Sequence, residues 1–450
     1  MTFGEFDMRF WTARRLIPVV LGIFLTATAS FAQDSIRVPL HEGIQQSAPQ
    51  QNQAPVTLDQ LVDEALKTNP EIRALIADIA AAEGGITTTT TWQNPEFSGS
   101  PGATKASGTG TEFHTDLEFT QTIEFPGKRA LRRAVGQKDV ELRQLALAAF
   151  RFQLTIQVRR VFFQILASHQ LIELKQQRLS LATSFLEAAK KKVEGGFAPE
   201  FEATKAEVEV VVAQKALRDA QASHNVAHAE LSALLGRKPG APMEVTGELE
   251  GIVPSLSESR LYEQALARNP SLKIQTAEIE RADLNLRSVR RSRLPDFNIG
   301  PNLEYTRDEQ TYGFGVSLPL PLWDRKRGPI ATATAEQQRA EAGLERLEQE
   351  ILRDISAASQ KLGAAKESLS YYTAEFREKL RSALDASGQS YAEGRTTLLI
   401  YLETQRTYFD AQADYFETLQ GLFDAQAELE AALGVPLAEI ENPTDSQEKK

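Results

Sequence analysis

The chain has 450 residues, no cysteine, five histidines, three methionines and a formal net charge of −11. Without cysteine it cannot form structural disulfides, thiolate metal sites or a lipid-modified N-terminal cysteine. So few histidines and methionines argue against a metal-storage protein, and the negative charge argues against a nucleic-acid partner.

The N-terminus has the pattern of a secretory signal peptide, predicted over residues 1–32. Arg9, Arg14 and Arg15 precede the apolar run LIPVVLGIFLTATA, and Ser-Phe-Ala at 30–32 supplies the small residues of a cleavage site. The alternative, an uncleaved anchor, is disfavoured because the run is too short to span a membrane. No later segment has about 18 consecutive apolar residues, so membrane insertion is expected to use strands.

Two motifs recur and divide the rest of the chain into two repeats. LVDEALKTNP at 61–70 returns as LYEQALARNP at 261–270, with five of ten residues identical. HAELSALLG at 228–236 returns as QAELEAALG at 426–434, with six of nine identical. Each half is predicted to contain a short helix, a pair of strands, a very long helix, a turn with Glu-Gly and a return helix.

These motifs set the predicted domain boundaries. A flexible lead-in rich in Gln and Pro covers residues 33–55, and the first repeat covers 56–236. A connection at 237–257 leads to the second repeat at 258–436, and a disordered polar tail is expected at 437–450.

The long helices predict an elongated molecule. Residues 128–192 contain one Gly and no Pro, and as a helix they would extend roughly 97 Å at about 1.5 Å per residue. A second long helix is predicted over 329–392, where apolar residues about 3.6 positions apart form a narrow stripe. A helix this long cannot bury itself in one globule. Shorter helices at 57–85 and 199–235 are therefore expected to pack lengthwise against the long ones.

About four strands, each with one apolar and one polar face, lie between the helices. Apolar residues alternate with polar or small ones along 112–125, 297–305 and 312–322, and the strand-to-strand connections are expected at 99–110 and 306–311. This alternation is typical of a transmembrane barrel, with lipid outside and water inside. A half-buried sheet in a soluble sandwich is the alternative. It is disfavoured because four strands fused to such long helices are too few for a sandwich.

The strand pattern also predicts how the chain assembles. Four strands cannot close a barrel, and open sheet edges are not tolerated in lipid, so the barrel is expected to be shared between subunits. On the polar face, four carboxylates are candidates for lining a lumen that favours cations. The alternative is that they only keep the pore hydrated. They are Glu112, Asp116, Glu118 and Glu124.

Three basic clusters lie where the strands meet the helices. Their members are Lys128, Arg129, Arg132 and Arg133; Arg287, Arg290, Arg291 and Arg293; and Arg325, Lys326 and Arg327. An anionic headgroup layer would favour positive charge at this level. Ordinary solvated helix ends are the alternative.

The sequence contains no catalytic constellation. A nucleophile elbow, a Gly-rich phosphate loop and an HExxH motif are all absent, so neither an enzyme nor a cofactor is expected. His224 and His228 lie four residues apart on a predicted helix, but no Cys or third His nearby completes a metal site. They are therefore interpreted as polar residues of a helix face, and no metal is assigned.

The two repeats of strands and long helices, the Asn-Pro motifs and the Glu-Gly turns resemble the TolC-type outer-membrane efflux channels over nearly all of residues 56–436. IEFPGKRALR at 123–132 and PLPLWDRKRG at 319–328 are similar to segments of the heavy-metal branch of that family. Members of this branch are the CzcC-like partners of metal-exporting resistance–nodulation–division pumps.

The resemblance implies a mainly α fold with a transmembrane β part. It also implies a homotrimer in the outer membrane, with a shared twelve-stranded barrel and a periplasmic α-helical tunnel that meets a periplasmic adaptor and an inner-membrane pump. The implied function is a passive conduit for heavy-metal cations. A conduit for drugs or for type I protein secretion is the alternative, and a periplasmic coiled-coil scaffold without a pore is disfavoured by the strands.

The resemblance also assigns roles to two short segments. Glu194-Gly195-Gly196-Phe197 and Glu393-Gly394-Arg395-Thr396 are the expected tips of the tunnel, which meet the adaptor in the family. The turns need a glycine with positive φ, assigned to Gly195 and Gly394. Plain turn chemistry without docking is the alternative.

Family channels narrow just after the second tip to rings of acidic residues from three subunits. Counted from the glycine of the turn, this sequence has Glu403 at one ring position and Ile400 at the other. Residues three apart share a helix face, so a mixed seal, apolar then acidic, is expected. The alternative is that both residues serve helix packing.

Overall fold

A computed structural model of the chain describes residues 56–106, 110–238, 240, 243–249 and 257–441. The predicted signal peptide, the lead-in and residues 442–450 lie outside these ranges, as does part of the connection between the repeats. Within the described ranges, no helix combines the length and the hydropathy needed to cross a membrane.

The elements follow the same order in both halves of the chain. The first half contains α1 (Leu58–Thr68), α2 (Pro70–Thr90), β1 (Glu96–Ala106), β2 (Gly110–Ile123), α3 (Lys128–Glu194) and α4 (Glu200–Leu234). The second contains α5 (Glu258–Arg268), α6 (Pro270–Arg291), β3 (Phe297–Thr306), β4 (Gln310–Ser317), α7 (Arg327–Ser370), α8 (Ala374–Ala392), α9 (Leu398–Leu433) and α10 (Leu437–Glu441).

The Asn-Pro motif breaks the first helix of each repeat. Proline disfavours helical geometry in the residue before it, and Asn69 accordingly has φ −57° and ψ 128°. Its Oδ1 accepts a hydrogen bond from Glu71 N at 2.9 Å, which caps α2. Asn269 Oδ1 accepts from Ser271 N in the same way at 2.8 Å. The single helix expected over 57–85 is therefore two helices.

Within each repeat, the same asparagine also links the Asn-Pro motif to the end of the return helix. Asn69 Nδ2 donates to the carbonyl of Leu234 at 2.9 Å, and Asn269 Nδ2 donates to that of Ala432 at 2.9 Å. Both asparagines are buried, so these bonds satisfy carbonyls at helix ends that lack an intrahelical partner. The Asn-Pro motif thus fixes the end of the return helix in each repeat.

The long helix of the second repeat is interrupted, and the prediction of one helix over 329–392 is wrong. Helix α7 ends at Ser370, and α8 starts after Thr373, whose Oγ1 accepts from Phe376 N at 3.1 Å. Ser and Thr offer the backbone such local hydrogen bonds and favour N-caps over helix interiors. In the first repeat, α3 continues without interruption for 67 residues.

The four strands form one antiparallel sheet in the order β1-β2-β3-β4. Two expectations about their extent are wrong. The segment 99–110, expected to be a connection, lies mostly in β1, which pairs with β2 from Glu96 to Ala106. Strand β4 ends at Ser317 and not at residue 322, because Pro319 and Pro321 have no N–H to donate to a neighbouring strand.

The apolar core is spread along the helices in several clusters. One lies around α3 and α4 and includes Leu154, Val158 and Leu231, and another lies around α7 and α9 and includes Ile355 and Leu433. Helix α3 contacts helices of both repeats, including α4 and α9. The two repeats therefore share one set of packed helices.

The first five residues of the expected tail, 437–441, are helical and packed. Residues 437–441 form helix α10, in which Leu437 and Ile440 are 3% and 2% exposed and belong to the core around α9. The apolar spacing of three residues, which places both side chains on one helix face, explains why this segment packs.

Candidate functional site

One face of the sheet is apolar from strand to strand. Directly paired residues lie on the same face, and the register pairs Leu117 with Leu303, Leu303 with Tyr312, and Ile299 with Val316. Phe113 and Phe314 on the same face are 72% and 68% exposed. Within the described part of the chain, this surface remains uncovered.

The opposite face of the sheet is polar. Its pairs include Asp116 with Glu304 and Glu118 with both Ser98 and Asn302. Glu112, two residues from His114 along β2, also lies on this side. Three of the four candidate lumen carboxylates therefore share one face. Glu304 joins them, and its cross-strand position is visible only in the register.

Glu124 does not belong to this polar face. Strand β2 ends at Ile123, and the Glu124 carboxylate accepts two hydrogen bonds from Arg132 Nη2, at 2.6 and 2.7 Å. The Glu124 side chain is only 13% exposed. It therefore fixes the start of α3 against the sheet and is not a free carboxylate of the lumen.

The outer strands of the sheet leave two edges without a partner in the described chain. Strand β1 pairs with β2 alone, and β4 pairs with β3 alone. The outward N–H and C=O groups of β1 and β4 are thus free to pair with strands of other copies. This sheet cannot close on itself as a four-stranded unit.

The two helical hairpins end in the same type of turn. Phe197 N donates to Lys192 O and Arg395 N donates to Ser390 O, each at 2.8 Å. These are the longer hydrogen bonds of Schellman motifs. In this motif the residue just before the donor, usually a glycine, takes the left-handed conformation. That glycine is Gly196 in the first turn (φ 75°) and Gly394 in the second (φ 74°).

The assignment of positive φ to Gly195 is therefore wrong. Gly195 is helical, with φ −77° and ψ −5°, and so is Glu393 at the corresponding position of the second turn. The two tips are thus aligned with Gly196 opposite Gly394, one residue away from the alignment expected from their Glu-Gly pairs. Phe197, next in the chain, is 87% exposed.

An aromatic cluster packs the two hairpin ends against each other. Phe185 lies near the rings of Tyr391 and Tyr401, and the latter two stack with centroids 5.6 Å apart. The Tyr391 hydroxyl donates to Glu202 of α4 at 3.2 Å. Burial, followed by the charge of Glu202, raises the pKa of Tyr391 to about 12. The tips of both repeats are therefore one packed unit within the subunit.

The two candidate gate residues lie on the exposed face of α9, just after the second tip. Ile400 is 52% exposed and Glu403 is exposed, whereas Tyr401 and Leu402 between them are 6% and 9% exposed and face the aromatic cluster. Neither Ile400 nor Glu403 serves the core of this subunit. Both are available to face other copies or an axis.

His224 and His228 lie in a cavity of about 820 Å³ whose lining also includes His169 of α3. Burial, and then the neighbouring His228 and His169, lowers the pKa of His224 to about 4, and its Nδ1 lies 2.8 Å from Ser168 Oγ. Burial also lowers the pKa of His228. In the described residues, no group of three or more His, Asp or Glu side chains has an arrangement that holds a metal. Sequence reasoning missed His169 because α3 brings it close only in the fold.

An amphipathic sheet continued by two long helical hairpins defines the class of outer-membrane channels with a periplasmic helical tunnel. The chain belongs to the outer membrane efflux protein family, whose model matches residues 61–237 and 261–435. The fold class and the family resemblance predicted from the sequence are confirmed. Members of this family are passive channels and not enzymes.

The chain is also similar to individual proteins of known sequence or structure. The chain is 26% identical over 388 residues to the cobalt-zinc-cadmium resistance protein CzcC of Cupriavidus metallidurans, covering 86% of this chain and 92% of that protein. It is 27% identical over 314 residues to the nickel-cobalt-cadmium resistance protein NccC of Alcaligenes xylosoxydans xylosoxydans, covering 67% and 69%. A crystal structure of CusC matches with a TM-score of 0.69 at 18% identity, over 84% of this chain and 92% of that one.

Proposed function

We propose that this protein is the outer-membrane channel of a tripartite resistance–nodulation–division efflux system that exports divalent heavy-metal cations. In this role it is a homotrimer that carries cations passively from the periplasm to the exterior. The similarity to CzcC along nearly the whole of both chains supports the class of substrate.

One observation carries the channel assignment: an uncovered apolar sheet face combined with two unpaired edge strands. Unpaired backbone groups are too costly to expose to lipid, so the edges β1 and β4 must pair with other copies. Three copies with four strands each give the twelve-stranded barrel of the family. The apolar face then meets lipid, and the polar face surrounds the lumen.

The polar face suits a cation conduit. Glu112, Asp116, Glu118 and Glu304 lie on one side of each subunit's sheet, and three copies would line the lumen with acidic groups. Rings of carboxylates favour the passage of cations over anions.

At the other end of the molecule, the tips dock to a periplasmic adaptor and the gate closes the resting channel. Phe197 presents an exposed aromatic ring at the first tip, and Glu393, Arg395 and Thr396 form the second. Just beyond them, three Ile400 side chains would resist hydration and three Glu403 carboxylates would attract cations. In the resting channel this arrangement leaves a small, cation-selective conductance, which would increase when docking separates the subunits.

The substrate assignment is tested by deleting the gene in its host and measuring growth inhibition by zinc, cobalt, cadmium and nickel salts, with ethidium as an organic control. The proposal predicts reduced tolerance to at least one metal, restored by the gene on a plasmid, and unchanged tolerance to ethidium. Unchanged metal tolerance together with ethidium sensitivity or a protein-secretion defect would instead support the drug or type I secretion conduit.

A further inference from the structure

The level at which strands meet helices contains more arginine than its carboxylates can pair. The carboxylates already have partners within 2.8 Å: Glu124 with Arg132, Asp296 with Lys128, Asp283 with Arg287, and Asp324 with Lys326. These ion pairs leave the positive charge at the end of α6 and after β4 without compensation.

Among the described residues, exposed guanidinium groups without a partner remain there, and three of them line one depression. Within the described part of the chain, the side chains of Arg290, Arg293 and Arg325 make no hydrogen bond or ion pair. With Arg287 and Arg291 they line an open depression of about 740 Å³. Its remaining wall is apolar and is formed by Leu131, Leu294, Pro295 and Pro321. A depression of this kind suits a ligand with both a negative group and a hydrocarbon part.

The depression adjoins the apolar sheet face at the end where the strands meet the helices. The Arg291 guanidinium donates to Pro126 O at 2.8 Å and lies 5.1 Å from the ring of Phe125. Phe125 stacks on Phe297, with ring centroids 6.5 Å apart, and Phe297 pairs with Ile123 of the apolar face. The arginines and the lipid-facing surface are thus joined through a layer of aromatic rings.

The segment between β4 and Arg325, whose Pro321 lines the depression, adds exposed apolar side chains. Leu320, Leu322 and Trp323 are 65%, 59% and 91% exposed. Exposed tryptophan and leucine beside basic residues are typical of the boundary between headgroups and acyl chains. The charge and the apolar surface therefore point to the same kind of ligand.

We propose that this depression binds the phosphodiester of an anionic glycerophospholipid, whose acyl chains lie along the apolar sheet face. Guanidinium groups bind phosphate oxygens with two parallel hydrogen bonds, and the uncompensated charge favours a headgroup without an ammonium. Free phosphate would use the same arginines, but it would gain nothing from the neighbouring apolar surface.

The test is native mass spectrometry of the assembled protein in mild detergent, with phosphatidylglycerol added and phosphatidylethanolamine as the zwitterionic control. The wild type is expected to retain more phosphatidylglycerol at equal lipid concentration. In the triple variant Arg290→Gln, Arg293→Gln, Arg325→Gln, this excess should fall by about tenfold or more, because each basic residue near a headgroup contributes to anionic-lipid binding. Replacing the same arginines by lysine keeps the charge but gives up the paired hydrogen bonds, so the phosphatidylglycerol excess should fall less than in the glutamine variant.

Two further arms separate this site from weaker explanations. The control variant Arg73→Gln, Arg151→Gln, Arg339→Gln removes three exposed helix arginines and should leave the preference unchanged. Inorganic phosphate at equal concentration should not displace the lipid.

If the first triple variant fails to assemble, the single variant Arg325→Gln should still lower the preference. Arg325 lies outside every helix and strand. The assignment would be overturned by unchanged phosphatidylglycerol binding in the glutamine variants or by displacement of the lipid by phosphate. It would also be overturned if the control variant or the lysine variant lost as much of the preference as the glutamine triple variant.

Discussion

The guanidinium of Arg159 in the first repeat donates to the carboxylate of Glu430 in the second, with Nη1 and Oε2 2.7 Å apart. Glu430 is 2% exposed, and its Oε1 also accepts a hydrogen bond from Leu437 N at 3.2 Å. This one carboxylate therefore joins α3, α9 and α10. The first repeat has Ser232 at the position that corresponds to Glu430. This ion pair between the repeats therefore has no counterpart in the first repeat.

Arg159→Met should destabilise the helical part of the protein by about 3 kcal/mol, because it leaves a buried carboxylate without its counter-charge. The double variant Arg159→Met, Glu430→Met should recover most of that loss. Thermal unfolding followed by circular dichroism at 222 nm measures both. The matched control is Arg160→Met, whose pair with Asp424 is 58% and 30% exposed and should contribute no more than about 1 kcal/mol. Equal effects at Arg159 and Arg160 would contradict the interpretation.

Phe314→Arg and Ser317→Arg should differ although both lie on β4. Phe314 belongs to the apolar face, and a charge there should cost roughly 2–4 kcal/mol near the membrane midplane and impair assembly. Ser317 pairs with Asn298 on the polar face, so its arginine variant should assemble and change only the conductance. Heat-modifiable mobility on gels and single-channel recording measure the two outcomes. Identical behaviour would mean that the assignment of the faces is wrong.

Gly394→Val should impair efflux more than Gly195→Val. Gly394 has a φ of 74°, which a β-branched residue rarely adopts, whereas Gly195 is helical and a Cβ there meets mainly the movable ring of Phe197. Metal tolerance, with membrane assembly as the control, measures the difference.

Phe197→Asp tests docking itself, because it changes an exposed side chain and leaves the turn geometry intact. Assembled channels with lost efflux are expected. Full tolerance in this variant would argue against a docking role for the first tip.

Substitutions at the candidate gate should change the resting channel. Glu403→Ala removes three carboxylates from the proposed ring and should reduce cation selectivity, whereas Ile400→Ser should raise the resting conductance by admitting water. Planar-bilayer recordings of the two variants and the wild type measure both properties. Leu399→Ser provides a control on the same helix at a residue that is 60% exposed. If neither gate substitution alters the record, the constriction lies elsewhere.

The partly buried His224 predicts a loss of stability in mild acid. Its pKa is about 4 in the folded protein against 6.5 for an unperturbed histidine, so the unfolded chain binds a proton more readily. The stabilisation is complete above about pH 6.5 and is lost as the pH falls towards 4. The unfolding temperature should therefore drop between pH 7 and pH 5, and His224→Gln should make the drop smaller. His114→Gln, in β2, serves as the control. An unchanged pH dependence in His224→Gln would contradict the assignment.

Much of this fold follows from local sequence patterns. Alternation along β2 and β3 correctly separates Leu117 from Asp116 and Leu303 from Glu304, because a strand places successive side chains on opposite faces. The prolines and glycines correctly mark most helix ends. The family resemblance, which rests partly on the repeated motifs, is confirmed by the match to the family over 61–237 and 261–435. In the structure the Asn-Pro motifs make corresponding hydrogen bonds in the two repeats.

The errors arise where a partner elsewhere in the chain decides the local structure. The small and polar residues of β1 resemble a loop, and only the neighbouring backbone of β2 makes them a strand. Apolar spacing continues from Leu369 through Tyr372 to Phe376, so periodicity alone hides the cap at Thr373. The ion pair of Glu430 depends on Arg159, 271 positions away in the sequence. The roles of the tips and of the gate stay predictions, because they concern surfaces that meet other molecules.

The number of chains in the membrane-inserted unit tests the central claim most directly. Native mass spectrometry of protein extracted from outer membranes in mild detergent, combined with bilayer recording of the same preparation, measures mass and channel activity together. Three chains per conducting unit are predicted, because the edges of β1 and β4 can be paired in lipid only by strands of other copies. A conducting unit that contains a single chain would contradict the account.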